Sequence, residues 1–175
     1  MKKLLIAILA LSFSSVVMAE DHPIATITGT GIDLKTYDHA IAGSIRDFLV
    51  WGFVDEATFS SELIMRRDGQ IVRANFKKDG DKIGGVIQQQ IDGKSRETAI
   101  YLKGINKEQK ALLLEIAGEP VTVTIQFDKI ENDHFINPVY TATIRGETVS
   151  FRLEGDACYG FSFHLAALIL GAYAH

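Results

Sequence analysis

Cys158, the single cysteine of this 175-residue chain, stands six residues before His164 in the closing stretch EGDACYGFSFHLAALILGAYAH. A thiol and an imidazole are the residue types of nucleophilic catalysis. With Asp156 as the cap of a helix, Cys158 falls in the first turn, where unbonded N–H groups and the positive end of the helix dipole make a thiol more acidic and more nucleophilic. His164 is not the base such a thiol needs. Six residues along a helix turn a side chain to roughly 120° from its starting direction and carry it about 9 Å along the axis, whereas a base must lie within about 3 Å of its nucleophile. A cysteine hydrolase or transferase would draw its base from His22, His39 or, in the loop ENDHFINP, His134.

The run CYGF resembles the four residues that begin at the nucleophile of papain-like peptidases. The preceding residues, LEGDA, lack that family's glutamine and glycines. Its histidine and asparagine lie far downstream of the thiol, and seventeen residues follow Cys158 here. What the resemblance implies is confined to a thiol at a helix start. The helix that follows is apolar nearly all round, and a cysteine in such surroundings behaves as a small hydrophobe. Cys158 is therefore expected as filler between a helix and its sheet, and no catalytic residue is assigned.

Glu131, Asn132, Asp133 and His134 are types that bind metals or move protons, but they match no metal-ligand spacing, and Asn and Asp are ordinary turn formers. Gly29 to Gly31, GTG, is too short for a phosphate loop, and no Gly-x-Ser-x-Gly turn is present to carry a serine nucleophile. No metal and no cofactor is expected.

The first residues, MKKLLIAILALSFSSVVMAED, combine two lysines, a short apolar run and small residues before a cut after Ala19. That is a bacterial export signal, too short to span a bilayer, so residues 1–19 are expected to be removed and 20–175 to form one domain in the periplasm or outside the cell. Losing Lys2 and Lys3 leaves 16 basic against 22 acidic residues, a net charge of −6. Nucleic acid and anionic lipid call for a concentrated basic surface and are not expected partners. Nor is a transmembrane segment expected after cleavage.

The elements that would position any site are read from periodicity. Asp68-Gly69, Asp79-Gly80 and Asp92-Gly93, each between alternating segments, predict hairpin turns joining a four-stranded antiparallel meander. Leu34, Tyr37, Ile41, Ile45, Phe48 and Leu49 recur at helical spacing after Asp33, and Ala111 to Ile116 follow Asn106 in the same way, so two helices are predicted there. With three further strands and the closing helix, the expected fold is α+β: a twisted antiparallel sheet packed by three helices. The first helix ends in FLVWGFV, apolar all round, which is either buried, the commoner case, or presents Trp51 and Phe53 to a partner. The function expected is that of an exported, non-enzymatic binding protein of the bacterial envelope, taking a protein or an apolar ligand, with Trp51 and Phe53 as binding residues.

Overall fold

The computed structural model describes residues 23–55, 58–91 and 94–174. The export segment, His22 and the turn at Asp92-Gly93 lie outside them. The α+β expectation is overturned. The strands β1 (Ala25–Gly29), β2 (Ile32–Tyr37), β3 (Ala40–Ile45), β4 (Phe48–Asp55), β5 (Ser60–Arg67), β6 (Gln70–Asp79), β7 (Lys82–Ile91), β8 (Lys94–Asn106), β9 (Ala111–Ile116), β10 (Glu119–Gln126), β13 (Val139–Ile144) and β14 (Glu147–Glu154) form a closed antiparallel barrel. Neighbours in sequence pair throughout, β10 passes to β13, and β14 pairs with β1 to close the wall. Three short strands, β11 (Lys129–Glu131), β12 (His134–Ile136) and β15 (Asp156–Ala157), make a separate small sheet. One helix, α1 (Tyr159–Tyr173), follows.

The two helices expected in the wall are strands for a definite reason. Inward residues of a strand recur every two positions, so Ile41 and Ile45 are four apart within β3, while Ile45 and Phe48 are three apart because a two-residue turn lies between them. Short hairpins thus imitate the three- and four-residue spacing of a helix. Glycine did not mark these turns: His39 (φ 57°) and Arg46 (φ 55°) adopt the left-handed conformation themselves. In the second segment Leu112 and Leu114 are buried and Leu113 is exposed, the alternation of a strand. Asn106 does accept a hydrogen bond from the Gln109 N–H (3.0 Å), but this closes a single turn between β8 and β9. The Asp-Gly meander is β5 to β8, with its second turn at Gly80-Asp81.

The third helix exists, but it occupies the lumen and does not lie on a sheet face. All residues from Gly160 to Ala174 are buried. Contacts reach the wall on opposite sides: His164 meets Ser61 on β5, Ser162 meets Tyr140 on β13, and Gly171 lies against Ile87 and Ile100 on β7 and β8. A helix buried on every side must be apolar on every side, which is why α1 has no polar stripe. Burying Phe161, Phe163, Leu165, Leu168, Ile169 and Leu170 contributes about 1.5–3 kcal/mol each as an upper bound. At one end Tyr173 donates to the Thr30 carbonyl (2.7 Å) beneath the Arg46 guanidinium. At the other, Phe135 of β12 stacks on Phe127 and meets Tyr159 edge-on, closing the mouth where α1 enters.

The wall is apolar inside and charged outside. Asp33, Lys35, Glu62, Arg66, Arg73, Glu97, Arg152 and Glu154 all project outward. A membrane barrel has the reverse polarity, with an apolar outer band. Sharp corners let this wall close. At Gly52 and Gly85, both inward-facing positions, a Cβ would overlap the carbonyl oxygen of Glu62 or Asn75 on the next strand. Gly43 stands in the same relation to Asp33. Glycine at such points lets adjacent backbones fold together and bend the sheet.

Candidate functional site

Cys158 packs against the edge of the core and also has a second role, as the cap of α1. It is half-buried at the N-cap of α1, and its Sγ accepts the Phe161 N–H at 3.4 Å. Its carbonyl accepts from the Ser162 N–H (3.0 Å) and hydroxyl (2.8 Å). With its proton so placed, Ser162 receives the hydrogen bond of the buried Tyr140 phenol (2.8 Å), and burial raises that phenol's pKa. Asp156, expected as the cap, lies in β15, where its carboxylate meets His134 Nδ1 at 2.5 Å. His134 and Asp156 line a hollow at the mouth with Tyr37, His39 and Phe161, and Cys158 is not part of that lining. The loop residues Glu131, Asn132 and Asp133 are exposed. Among the described residues no three His, Cys, Asp or Glu side chains are placed to hold a metal.

A thiol is a weak acceptor in a position that favours serine. Cys158→Ser is therefore expected to match or exceed the native stability, and Cys158→Ala to lose about 1 kcal/mol, with urea unfolding as the measurement. An unchanged stability in Cys158→Ala would show that the cap contributes nothing.

His164 has a partner that sequence reasoning could not supply, since Ser61 is 103 residues away. Ser61 Oγ lies 2.9 Å from Nδ1, and both side chains are buried. Nε2 makes no hydrogen bond. Placing the proton on Nδ1, donating to Ser61, leaves a bare lone pair at Nε2 in place of an orphaned N–H, the less costly choice. Rings of Phe76 and Phe163 pack edge-on around the imidazole. Burial pushes its pKa down to about 4. A hollow lined by Ser61 and Phe76 with Phe53 and Gly85 lies beside the pair, but His164 itself does not line it and is 1% exposed, so the imidazole is placed as a core residue.

The remaining sequence-stated residues, Trp51 and Phe53, are outside. With Leu49 they project from β4, and their exposures are 62% for Leu49, 42% for Trp51 and 68% for Phe53. Period two explains the division of FLVWGFV: Phe48, Val50 and Val54 face α1 and the alternate residues face out. β4 alone among the described strands presents three large apolar residues outward. Its neighbour β3 presents small ones, in the opposed pairs Ala40/Phe53, Ala42/Trp51 and Ser44/Leu49. The corners at Gly43, against β2, and Gly52, against β5, bound these two strands, so they form a facet. One half is a ridge and the other a trough. Asp33, Lys35 and Tyr37 on β2 edge the trough, while Glu62, Ile64 and Arg66 on β5 edge the ridge.

No family model, curated protein or solved structure matches the chain.

Proposed function

We propose that this chain is an exported, non-enzymatic binding protein of the bacterial envelope, that its ligand is a protein, and that it binds through the β3–β4 facet with Trp51 and Phe53 as anchors. One observation carries the reading: β4 sets three large apolar side chains, Leu49, Trp51 and Phe53, in contact with solvent next to small ones, in a barrel whose lumen is already full of α1, whereas the other exposed ones on the described wall, Ile71, Tyr101, Ile105 and Leu113, are spread over β6, β8 and β9. A filled lumen leaves no room for an apolar ligand of the kind that open barrels hold. Exposed aromatic residues grouped on one patch are what protein interfaces use as anchors. The charged outer wall supports a protein bathed by water on all sides. A cysteine enzyme has less support, because Cys158 serves as a helix cap and does not line the hollow that His134 and Asp156 share.

The chain has one tryptophan, so the site carries its own reporter. Trp51→Ser with Phe53→Ser is expected to change stability by no more than about 0.5 kcal/mol, as exposed substitutions do, and to abolish partner capture from an envelope extract. In the native protein, partner binding should shift Trp51 emission to the blue and shield it from iodide. A variant that unfolds would make Trp51 structural, and one that retains capture would place the interface elsewhere; either result removes the reading.

A further inference from the structure

From the facet's shape and charge we infer that the protein it fits is a second copy of this chain, an inference that rests on the facet being a binding surface at all. A ridge beside a trough is self-complementary under one symmetry operation. A two-fold axis in the plane of contact, parallel to the strands and midway between β3 and β4, lays each copy's β4 over the other's β3. Opposed residues keep their height along such an axis. Trp51 of each copy then seats on Ala42 of the other, Phe53 on Ala40, and Leu49 on Ser44, because these are the register pairs within one copy. The alternative axis, perpendicular to the strands, would set ridge on ridge. Isologous contacts of this kind close a dimer and leave no open end, and two sheets stacked face to face in near alignment are a normal packing.

The charges at the rim agree independently. The same axis places β2 of one copy over β5 of the other. Asp33 shares its row with Ser44, Leu49 and Arg66, so it meets the other copy's Arg66. Lys35 lands beside the other copy's Ile64, one row from its Glu62 on one side and from its Arg66, already faced by Asp33, on the other, and Tyr37 lands opposite that Glu62. Each acid meets a base or a phenol and no like charges face each other. Among the described residues, Asp33, Lys35, Glu62 and Arg66 have no ion-pair partner within the chain. The corners at Gly43 and Gly52 turn β2 and β5 away from the facet, and the long Lys, Glu and Arg side chains span the gap they open.

Four strands and three rows cover roughly 15 by 17 Å of wall. That is less than the about 800 Å² per partner of a standard interface, so the dimer is expected to dissociate on dilution.

Charge exchange tests this. Within one copy Asp33 and Arg66 are three strand spacings apart, about 14 Å, too far to compensate each other directly. The native protein is expected to show concentration-dependent dimerisation by sedimentation velocity, with a parallel blue shift of Trp51. Asp33→Arg and Arg66→Asp should each stay monomeric over the same range, because each sets like charges across the axis twice. An equimolar mixture of the two should associate again, since both contacts then pair opposite charges. A native protein that stays monomeric, or a mixture that fails to associate, overturns the inference. If the native chain is monomeric yet captures another protein through Trp51, the facet remains a binding surface and its partner is not a second copy. If the Trp51 and Phe53 substitutions alter neither property, the facet is not a binding surface and both readings fall.

Discussion

Acidification from pH 7 to pH 4 is expected to lower the stability of this barrel by about 3 kcal/mol through His164 alone. His164 is held near pKa 4 in the folded protein against an ordinary 6.5. Between those values the unfolded chain binds a proton at this position and the folded chain does not. Stability is therefore fully present above about pH 6.5, is lost as pH falls toward 4, and is level below it. Two and a half pKa units at 1.36 kcal/mol each set the size, as an order of magnitude. The geometry gives the cause. His164 is 1% exposed, its one polar neighbour is the Ser61 hydroxyl, and among the described residues the buried polar side chains are Thr36, Ser61, Gln89, Thr98, Ser162 and His164, none of them an acid. A charge formed there has no counter-ion. The measurement is the urea-unfolding free energy at half-unit steps from pH 7 to 4, in the native protein and in His164→Leu combined with Ser61→Ala. The variant should lose this contribution to the slope whatever its absolute stability. An unchanged slope would assign the acid sensitivity to other groups.

Gly85→Ala is expected to be the most damaging single-methyl change in the wall. The added Cβ would overlap the Asn75 carbonyl oxygen and press on the Phe76 Cα, and backbone atoms already committed to strand pairing cannot step aside. Relief requires opening the β6–β7 ladder at a corner on which closure depends. The loss should exceed about 4 kcal/mol, a large part of the net stability of a domain this size. Gly104→Ala is the matched control. Gly104 also lies in a strand, its nearest neighbour would be Leu113 Cδ1 at 3.7 Å, and a change within about 0.5 kcal/mol is expected. Recovery in the soluble fraction and thermal unfolding distinguish the two variants. If Gly85→Ala folds with native stability, the corners do not depend on glycine.

The two effects share an origin, which is that α1 fills the barrel. A lumen filled by a helix keeps the imidazole of His164 from solvent, and a wall drawn tightly around a helix needs corners without side chains.

Local chemistry in the chain was enough to announce part of this. Glycine after aspartate marks a tight turn wherever the chain goes, so the hairpin from β5 to β6 could be read directly, and alternation identified the strands of the meander. The apolar character of residues 159–173 announced a helix with no wet side, because a helix surrounded by apolar neighbours carries that composition itself. FLVWGFV, apolar at nearly every position and read as the end of a helix, left two outcomes open for Trp51.

What required the folded chain was everything that depends on closure. Whether 33–49 is one helix or three strands turns on the positive φ of His39 and Arg46, which propensity disfavours and the pairing of β2, β3 and β4 imposes. Whether a sheet stays open or closes on itself depends on the contact of β1 with β14, more than a hundred residues apart, and no local pattern encodes it. The Ser61–His164 pair and the facet of Trp51 over the small residues of β3 are consequences of that closure. Side-chain types are properties of the chain, but opposition across a wall is a property of register, and register is settled only when the barrel has closed.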